Sequence, residues 1–439
     1  MKIIKKFSFS IAIIFTFLFN FLIFILTYLQ YNSTAGTDFN KYGPYLNFYV
    51  FGSDVTLEEQ GIGYFWLISE ISKLKLNSLL ISPSYDILIL NYGVQFGNFL
   101  LFIGGLGGIY FLLKFFNASP IFSLGVLNLL ALFPPIIGAR LILKPEILAF
   151  FLFPWMFLFL FKFLELKQLK YLFFLIPIIT ILTTAKASIT LITALVLLLF
   201  VNKSIFNKEV FYAVMVTIPI FIYLINESYL INQRYLWDHI TPEGYDNVAT
   251  VSFLYSLNTE LFKNPFRNSQ STSFLGIILL DTFGDYWQRY WNNESGWMQS
   301  HFPGDINLNR MGIFTSFTFY FLIFKYTFKE KNKYLKKIGS SFLIGVLVLL
   351  VTIFNFFPFF TRNFNPGKGD PIKTHYFSFL LALSFVYLLF KLKESKINIF
   401  TIIFVLILIV LPFMQITSNT YDEISENEEV ITYMEESNE

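Results

Sequence analysis

Long, uninterrupted apolar runs recur from one end of this 439-residue chain to the other. A run of about 20 residues, wound into a helix, crosses the ~30 Å hydrocarbon layer of a bilayer. Hydrophobic residues make up 55% of the sequence and charged residues only 14%. A soluble protein of this composition would expose large apolar patches to water. The sequence therefore predicts an all-α polytopic membrane protein, with membrane lipid as a partner along its length.

We predict about 11 transmembrane helices, the first of them an uncleaved anchor because no clear small-residue cleavage site follows it. An external loop over 30–88 carries amphipathic helices, and a larger, aromatic-rich external loop over 230–310 lies between spans 7 and 8. The predicted organisation is a membrane core over 1–229, that aromatic-rich loop, C-terminal spans over 311–416 and an acidic external tail over 417–439. The predicted spans are about 7–29, 89–113, 118–139, 145–161, 171–185, 187–202, 210–229, 311–328, 338–358, 375–390 and 397–416.

Basic residues are distributed asymmetrically across these spans. If the N-terminus is cytoplasmic, 18 of the 32 Lys and Arg residues fall in short cytoplasmic turns, with only four of the 29 acidic residues. Lysine and arginine in short loops mark the cytoplasmic side. We therefore predict an integral, multi-pass protein (of the plasma membrane if bacterial) with a cytoplasmic N-terminus and an external C-terminus.

Several classes of chemistry are excluded. The absence of Cys rules out disulfides, zinc-thiolate sites and thiol nucleophiles. No Walker loop, Rossmann fingerprint or Asp-x-Asp pair is present, and the glycine run over 104–108 lies in an apolar span, where it predicts close helix packing. We expect no nucleic-acid partner and no cofactor. Asp238, His239, His301 and Asp305 could bind a divalent metal, but their spacing matches no ligand motif.

The polar sequence concentrates in three external segments, over about 30–88, 230–310 and 359–374. Asp38 lies near the start of the first, and the apolar spacing from Tyr64 to Leu76 predicts an amphipathic helix at the membrane interface. An acid held just above the membrane is suited to taking a proton from a hydroxyl group. Alternatively, Asp38 caps the turn that follows it.

Basic residues on the external side form a second candidate group. They are Arg140, Lys144, Lys186, Arg362, Lys368 and Lys373, and His375 opens a late span. Such residues either bind a shared phosphate through charge-assisted hydrogen bonds or extend toward lipid headgroups. Because the external face is where the positive-inside rule disfavours them, the group as a whole favours a shared anion.

The aromatic-rich loop also has two interpretations. The stretch from Asp281 to Trp291 mixes carboxylates, Arg289 and indoles. Trp and Tyr gather at membrane interfaces in general, and they also offer flat faces to ligands such as sugar rings. We take Asp285, Trp287 and Trp291 as candidate acceptor-binding residues.

Together these features resemble the glycosyltransferase-C superfamily. The similarity lies in a short cytoplasmic N-terminus, one span, and an external loop with an acid near its start, here Asp38 in Gly-Thr-Asp-Phe-Asn-Lys-Tyr. The stretch R-L-I-L-K-P-E-I-L-A from Arg140, the later T-T-A-K-A-S around Lys186, and Lys373-Thr374-His375-Tyr376 resemble the superfamily's membrane core. The resemblance covers the layout of nearly the whole chain, although each motif is short.

The resemblance implies an inverting transfer of a sugar from a polyprenyl-phosphate carrier to a glycan, lipid or protein acceptor on the external face. Asp38 would be the catalytic base. The donor phosphate would be bound by Arg140, Lys186, Lys373 and His375. The acceptor would be bound by Tyr42, Asp285, Trp287 and Trp291.

The chain also departs from well-known members, since it lacks a second acid beside Asp38 and a Lys-Pro-Pro-Leu run in the first loop. The order Asp38, Tyr42, Glu59 and Gly63-Tyr64 is similar to that of some exopolysaccharide polymerases, which act on lipid-diphosphate oligosaccharides. A polymerase or ligase of surface glycans is therefore the main alternative. A transporter or flippase would require charges within spans, broken helices and internal repeats.

Overall fold

The computed structural model confirms a helical membrane protein, because every element in the part it describes is helical and several helices are long and apolar enough to span a bilayer. The described residues are 2–30, 39–52, 62–74, 86–200, 215, 218–226, 253–254, 260–265, 273–284, 303–353, 373–395 and 399–417.

The helices are numbered here in chain order. They are α1 (Lys2–Gln30), α2 (Phe39–Phe51), α3 (Ile62–Lys73), α4 (Asp86–Phe115), α5 (Pro120–Ala131), α6 (Pro134–Leu141), α7 (Glu146–Leu166), α8 (Leu169–Ala185), α9 (Ala187–Phe200), α10 (Glu260–Lys263), α11 (Phe274–Phe283), α12 (Pro303–Lys329), α13 (Lys333–Gly339), α14 (Phe342–Ile353), α15 (Ser378–Glu394) and α16 (Ile399–Thr417), with a 3₁₀ turn over Thr374–Phe377.

Six helical segments among the described residues meet the length and hydropathy of a span. Each matches a predicted one, and the predicted span over 118–139 corresponds to α5 and α6, which are bent by 60° where they meet. The predicted spans over 171–185 and 187–202 are the shorter apolar helices α8 and α9. Half of 210–229 lies outside the described residues. The span over 338–358 covers the end of α13 and all of α14, so the count of eleven stays a prediction.

The chain divides into two compact units. Unit 1 comprises Met1–Gln30, Ile109–Gly138 and Pro242–Thr420, and unit 2 comprises Tyr31–Gly108, Ala139–Thr241 and Tyr421–Glu439. The predicted domains follow the chain in order and so do not coincide with these units.

Unit 1 is built around an aromatic core. The ring of Phe133 stacks on Phe385 with centroids 4.6 Å apart and meets Phe283 and Phe319 at 5.5 and 6.1 Å. The helix that carries Phe283, α11, packs on α12 and is almost entirely buried. The sequence analysis assigned this segment to the external loop, although its apolar composition suits a buried helix.

Unit 2 contains the helix predicted from the spacing after Tyr64. That helix, α3, packs against α2 and α8 and buries Tyr64, Phe65 and Ile68, while Trp66 on the opposite face is half exposed. A helix is observed here, but Ser69 is fully buried and Trp66 is half exposed, so its amphipathic character and its location at the membrane interface stay predictions.

Close packing at the glycine run of α4 is also confirmed. A Cβ atom at Gly104 would lie 2.7 Å from the Phe151 ring, and one at Gly105 would lie 2.6 Å from the Phe150 ring and 2.9 Å from the Phe150 carbonyl oxygen. The indole Nε1 of Trp155 donates to the Gly104 carbonyl oxygen at 3.0 Å. Small residues thus allow α4 and α7 to approach closely.

This contact predicts opposite outcomes for two neighbouring substitutions. Gly105→Ala should destabilise the protein by about 1–3 kcal/mol, because the new methyl group meets a backbone oxygen that cannot move independently. Gly107→Ala is the matched control, since its Cβ would meet only Trp155 Cζ2, at an ordinary 3.6 Å. Thermal unfolding of the two purified variants in detergent measures the difference, and equal melting temperatures would contradict the packing described here.

Candidate functional site

A turn between α6 and α7 in unit 2 carries three charged residues away from water. Arg140 lies in the last turn of α6, Lys144 follows, and Glu146 begins α7. Their exposed fractions are 2%, 1% and 0%. Charged side chains are almost never fully buried unless they are paired or serve a function, so this turn is the first place to look for chemistry.

The turn is held by side chains from two other helices. Asn98 of α4 donates through Nδ2 to the carbonyl oxygens of Arg140 and Ile142 at 2.8 and 3.0 Å. The Tyr64 hydroxyl donates to Asn98 Oδ1 at 2.8 Å and accepts from the Lys144 backbone N–H at 3.2 Å. The turn's buried backbone groups are therefore satisfied by side chains, which a non-helical segment in apolar surroundings requires.

Tyr64 is suited to this structural role. Its burial raises the pKa of the phenol far above the usual value of about 10, so the hydroxyl keeps its proton and acts as a donor at any physiological pH. The network from Tyr64 through Asn98 thereby fixes the backbone from which Arg140 and Lys144 project.

Aromatic faces border both cations of the turn. The Arg140 guanidinium carbon lies 5.8 Å from the centroid of the Phe102 ring, and Lys144 Nζ lies 6.0 Å from that of Tyr42. At these separations the ring faces attract the cations, most strongly where water is excluded. Tyr42, a predicted acceptor-binding residue, is 1% exposed and stacks near Phe65.

Lys186, which lies between α8 and α9, is the fourth charged residue of the cluster. It is the single extended residue between α8 and α9, and its Nζ lies 2.5 Å from Glu146 Oε1. The Thr190 hydroxyl forms hydrogen bonds with the carbonyl oxygens of Thr183 and Lys186, at 2.7 and 3.0 Å. Both carbonyl groups are therefore satisfied although the helix is interrupted here. Thr190, just after the T-T-A-K-A-S stretch, thus stabilises an interruption between two apolar helices.

The two carboxylate oxygens of Glu146 differ in their contacts. Its Oε1 is paired with Lys186, whereas Oε2, fully buried, has no hydrogen-bond partner among the described residues. A buried acceptor without such a partner is uncommon, which sets Oε2 apart from the satisfied backbone groups of the turn.

The basic side chains of this cluster suit an anion. Arg140, Lys144 and Lys186 are all buried, and Lys186 also pairs with Glu146. Guanidinium and ammonium groups bind phosphate through short, charge-assisted hydrogen bonds, which are strongest where water is excluded.

Unit 1 has a separate buried polar cluster. Asp281, near the end of α11, accepts through Oδ2 from the Thr374 backbone N–H at 2.7 Å and from its hydroxyl at 2.6 Å. This contact fixes the start of the 3₁₀ turn on which Lys373 and His375 lie, with His375 only 3% exposed. Lys373 Nζ lies 5.9 Å from the Tyr376 ring centroid.

No protein-family model, no curated protein and no solved structure matches the chain. Any inference about function therefore starts from the two clusters themselves.

Five of the predicted site residues are among the described residues, and they fall in two clusters. Arg140, Lys186 and Tyr42 belong to the unit 2 cluster. Lys373 and His375 belong to the unit 1 cluster. The other predicted residues, Asp38, Asp285, Trp287 and Trp291, lie outside the described residues.

The sequence analysis did not assign a role to Asn98, Glu146 or Asp281. Each lies in or beside an apolar run. A polar residue there is costly unless it has a function, and this cost is the signal that could have identified them. Among the described residues, no group of three or more His, Asp or Glu could hold a metal ion.

Proposed function

We propose that this protein is an integral-membrane glycosyltransferase, which moves a sugar from a polyprenyl-phosphate carrier to a glycan, lipid or protein acceptor on the non-cytoplasmic face. The observation that carries the proposal is the unit 2 cluster, in which Arg140, Lys144 and Lys186 lie buried with Glu146. Buried guanidinium and ammonium groups suit an anion that arrives within the membrane, as the phosphate of a lipid carrier does.

The reaction proceeds by displacement at the sugar. The acceptor hydroxyl oxygen forms a bond to the anomeric carbon as the bond from that carbon to the phosphate oxygen breaks, with inversion. Asp38 takes the hydroxyl proton, and the polyprenyl phosphate leaves with the bonding electron pair. Arg140 and Lys186 stabilise the negative charge that develops on the departing phosphate.

The other predicted residues have supporting roles in this proposal. Lys373 and His375 also bind the donor phosphate, and their positions depend on the bond between Asp281 and Thr374. Tyr42, Asp285, Trp287 and Trp291 bind the acceptor. Tyr42 lies beside Lys144, which supports a location near the bound phosphate.

Lipid analysis of cells that lack the chain tests this function. Without the transferase, the polyprenyl-phosphate sugar should accumulate several-fold, because the step that consumes it is removed, and a plasmid copy of the gene should reverse the change. Mass spectrometry of extracted lipids measures the donor and identifies its sugar. Accumulation of lipid-diphosphate oligosaccharides instead would indicate a polymerase or ligase, and an unchanged lipid profile would contradict all three activities.

Two observations favour transport of a lipid-linked sugar as the second candidate. The α5–α6 pair is bent by 60°, and a buried ion pair lies at the break between α8 and α9. Broken helices and buried charges are typical of transporters. Vesicles that contain the purified protein and a fluorescent polyprenyl-phosphate sugar discriminate the two: a flippase exposes the label to an external quencher without making a new glycoside, whereas a transferase does not accelerate exposure.

A further inference from the structure

One end of unit 1 is densely basic. Eight lysines against two glutamates, Glu330 and Glu394, leave a net charge of +6 over the end of α12, the whole of α13 and the end of α15. We call this region the polybasic surface. Its lysines are Lys325, Lys329, Lys331, Lys333, Lys336, Lys337, Lys391 and Lys393.

The three helix segments are fixed to one another. Lys391 of α15 forms an ion pair with Glu330, which follows α12, at 2.6 Å. Glu330 also accepts from the Asn332 backbone N–H at 2.8 Å, and the Asn332 side chain caps α13 by accepting from the N–H groups of Tyr334 and Leu335 at 2.9 and 3.2 Å. The lysines therefore project from one ordered surface.

Both carboxylates of this surface are committed to the same lysine. Glu394 lies 2.7 Å from Lys391, which also holds Glu330. Over the described residues, no carboxylate comes within ion-pair distance of Lys331, Lys333 or Lys336. Partial burial and, second, the charge of Lys333 lower the pKa of Lys337. An anion from outside the unit would relieve this repulsion.

An exposed apolar side chain accompanies the lysines. Phe328, one residue before the end of α12, is 79% exposed and stacks on Phe324, with ring centroids 6.4 Å apart. The α12 helix contains one of the candidate spans, which ends at Lys329. Lysines at the end of a span beside an exposed phenylalanine match the boundary between headgroups and acyl chains. A soluble acidic partner would leave Phe328 in water.

We propose that the polybasic surface binds an anionic phospholipid, with the phosphate of the headgroup between the lysines of α13 and the acyl chains along Phe328 and Phe324. Basic clusters next to the cytoplasmic end of a span attract anionic lipids in general. This surface is independent of the unit 2 cluster and of the proposed transfer reaction, and it lies on the side that the lysine distribution predicts to be cytoplasmic.

Native mass spectrometry of the full-length protein in detergent tests the proposal. The protein is titrated with dioleoyl phosphatidylglycerol or with dioleoyl phosphatidylcholine, which has the same acyl chains and a zwitterionic headgroup. We expect wild-type protein to bind phosphatidylglycerol about tenfold or more tightly than phosphatidylcholine, with the difference shrinking as salt is raised. The triple variant K331Q/K333Q/K336Q should lose most of this preference.

The control variant is K162Q/K167Q/K170Q, which removes the same number of lysines from the end of α7, the start of α8 and the turn between them. It should keep the wild-type preference. The proposal is overturned if K331Q/K333Q/K336Q binds phosphatidylglycerol as wild type does, if both triple variants lose the preference equally, or if soluble glycerol phosphate competes as well as the lipid. The last outcome would indicate a site for a soluble anion.

Discussion

Asp38→Asn protein should insert and fold normally but transfer sugar about 10²–10⁴-fold more slowly, the range attributed to loss of a general base. Asparagine has nearly the same shape as aspartate, but it cannot take the proton that the acceptor hydroxyl must release. The measurement is the rate at which a donor identified by the lipid analysis is consumed in proteoliposomes, with circular dichroism and gel filtration as checks of folding.

Asp54→Asn makes the same chemical change elsewhere in the first loop and should leave the rate within about twofold of wild type, as is usual for substitutions away from the reacting atoms. Full activity in the Asp38→Asn variant would remove Asp38 from the mechanism and would leave only a role in capping. Equal losses in the two variants would indicate that the loop tolerates no change of charge.

Replacing Glu146 with Gln should have the largest effect on stability, about 3–5 kcal/mol, because it removes the carboxylate that faces buried Lys186. Lys186→Met should be destabilising by a similar amount, since it leaves Glu146 without its ion-pair partner. The double variant E146L/K186M replaces both charges with apolar groups and should recover most of the lost stability. Thermal unfolding in detergent gives the three values and their coupling.

The double variant also separates structure from function. If Lys186 binds the donor phosphate, E146L/K186M should be folded and nevertheless inactive, at a loss of about 10²-fold or more. A double variant as unstable as the single ones would contradict the pairing, and a stable, active one would exclude Lys186 from the donor site.

Long apolar runs made most of the spans predictable, because length and hydropathy alone decide whether a helix can cross a bilayer. The prediction of close packing at the glycine run of α4 was also correct, because a Cβ at Gly105 has no space in the structure. The helical segment after Tyr64 followed from the spacing of its apolar residues.

The contacts that build the site could not be predicted from the sequence, because they join residues far apart in the chain. Glu146 and Lys186 are 40 residues apart, and Asp281 and Thr374 are 93 apart. Asn98 bonds backbone carbonyl oxygens, which carry no side-chain signature at all. Periodicity reports which face of a helix is buried, but it does not report which polar group on another helix that face will meet.

The break at Lys186 also bears on how the chain is made. At 1.5 Å per residue, the 17 residues of α8 rise only about 26 Å, less than the ~30 Å of the hydrocarbon layer. Glu146 is made 40 residues before Lys186, so a translocon that released α7 early would leave the carboxylate in lipid without this partner. The ion pair therefore favours release of α7 together with α8 and the break at Lys186.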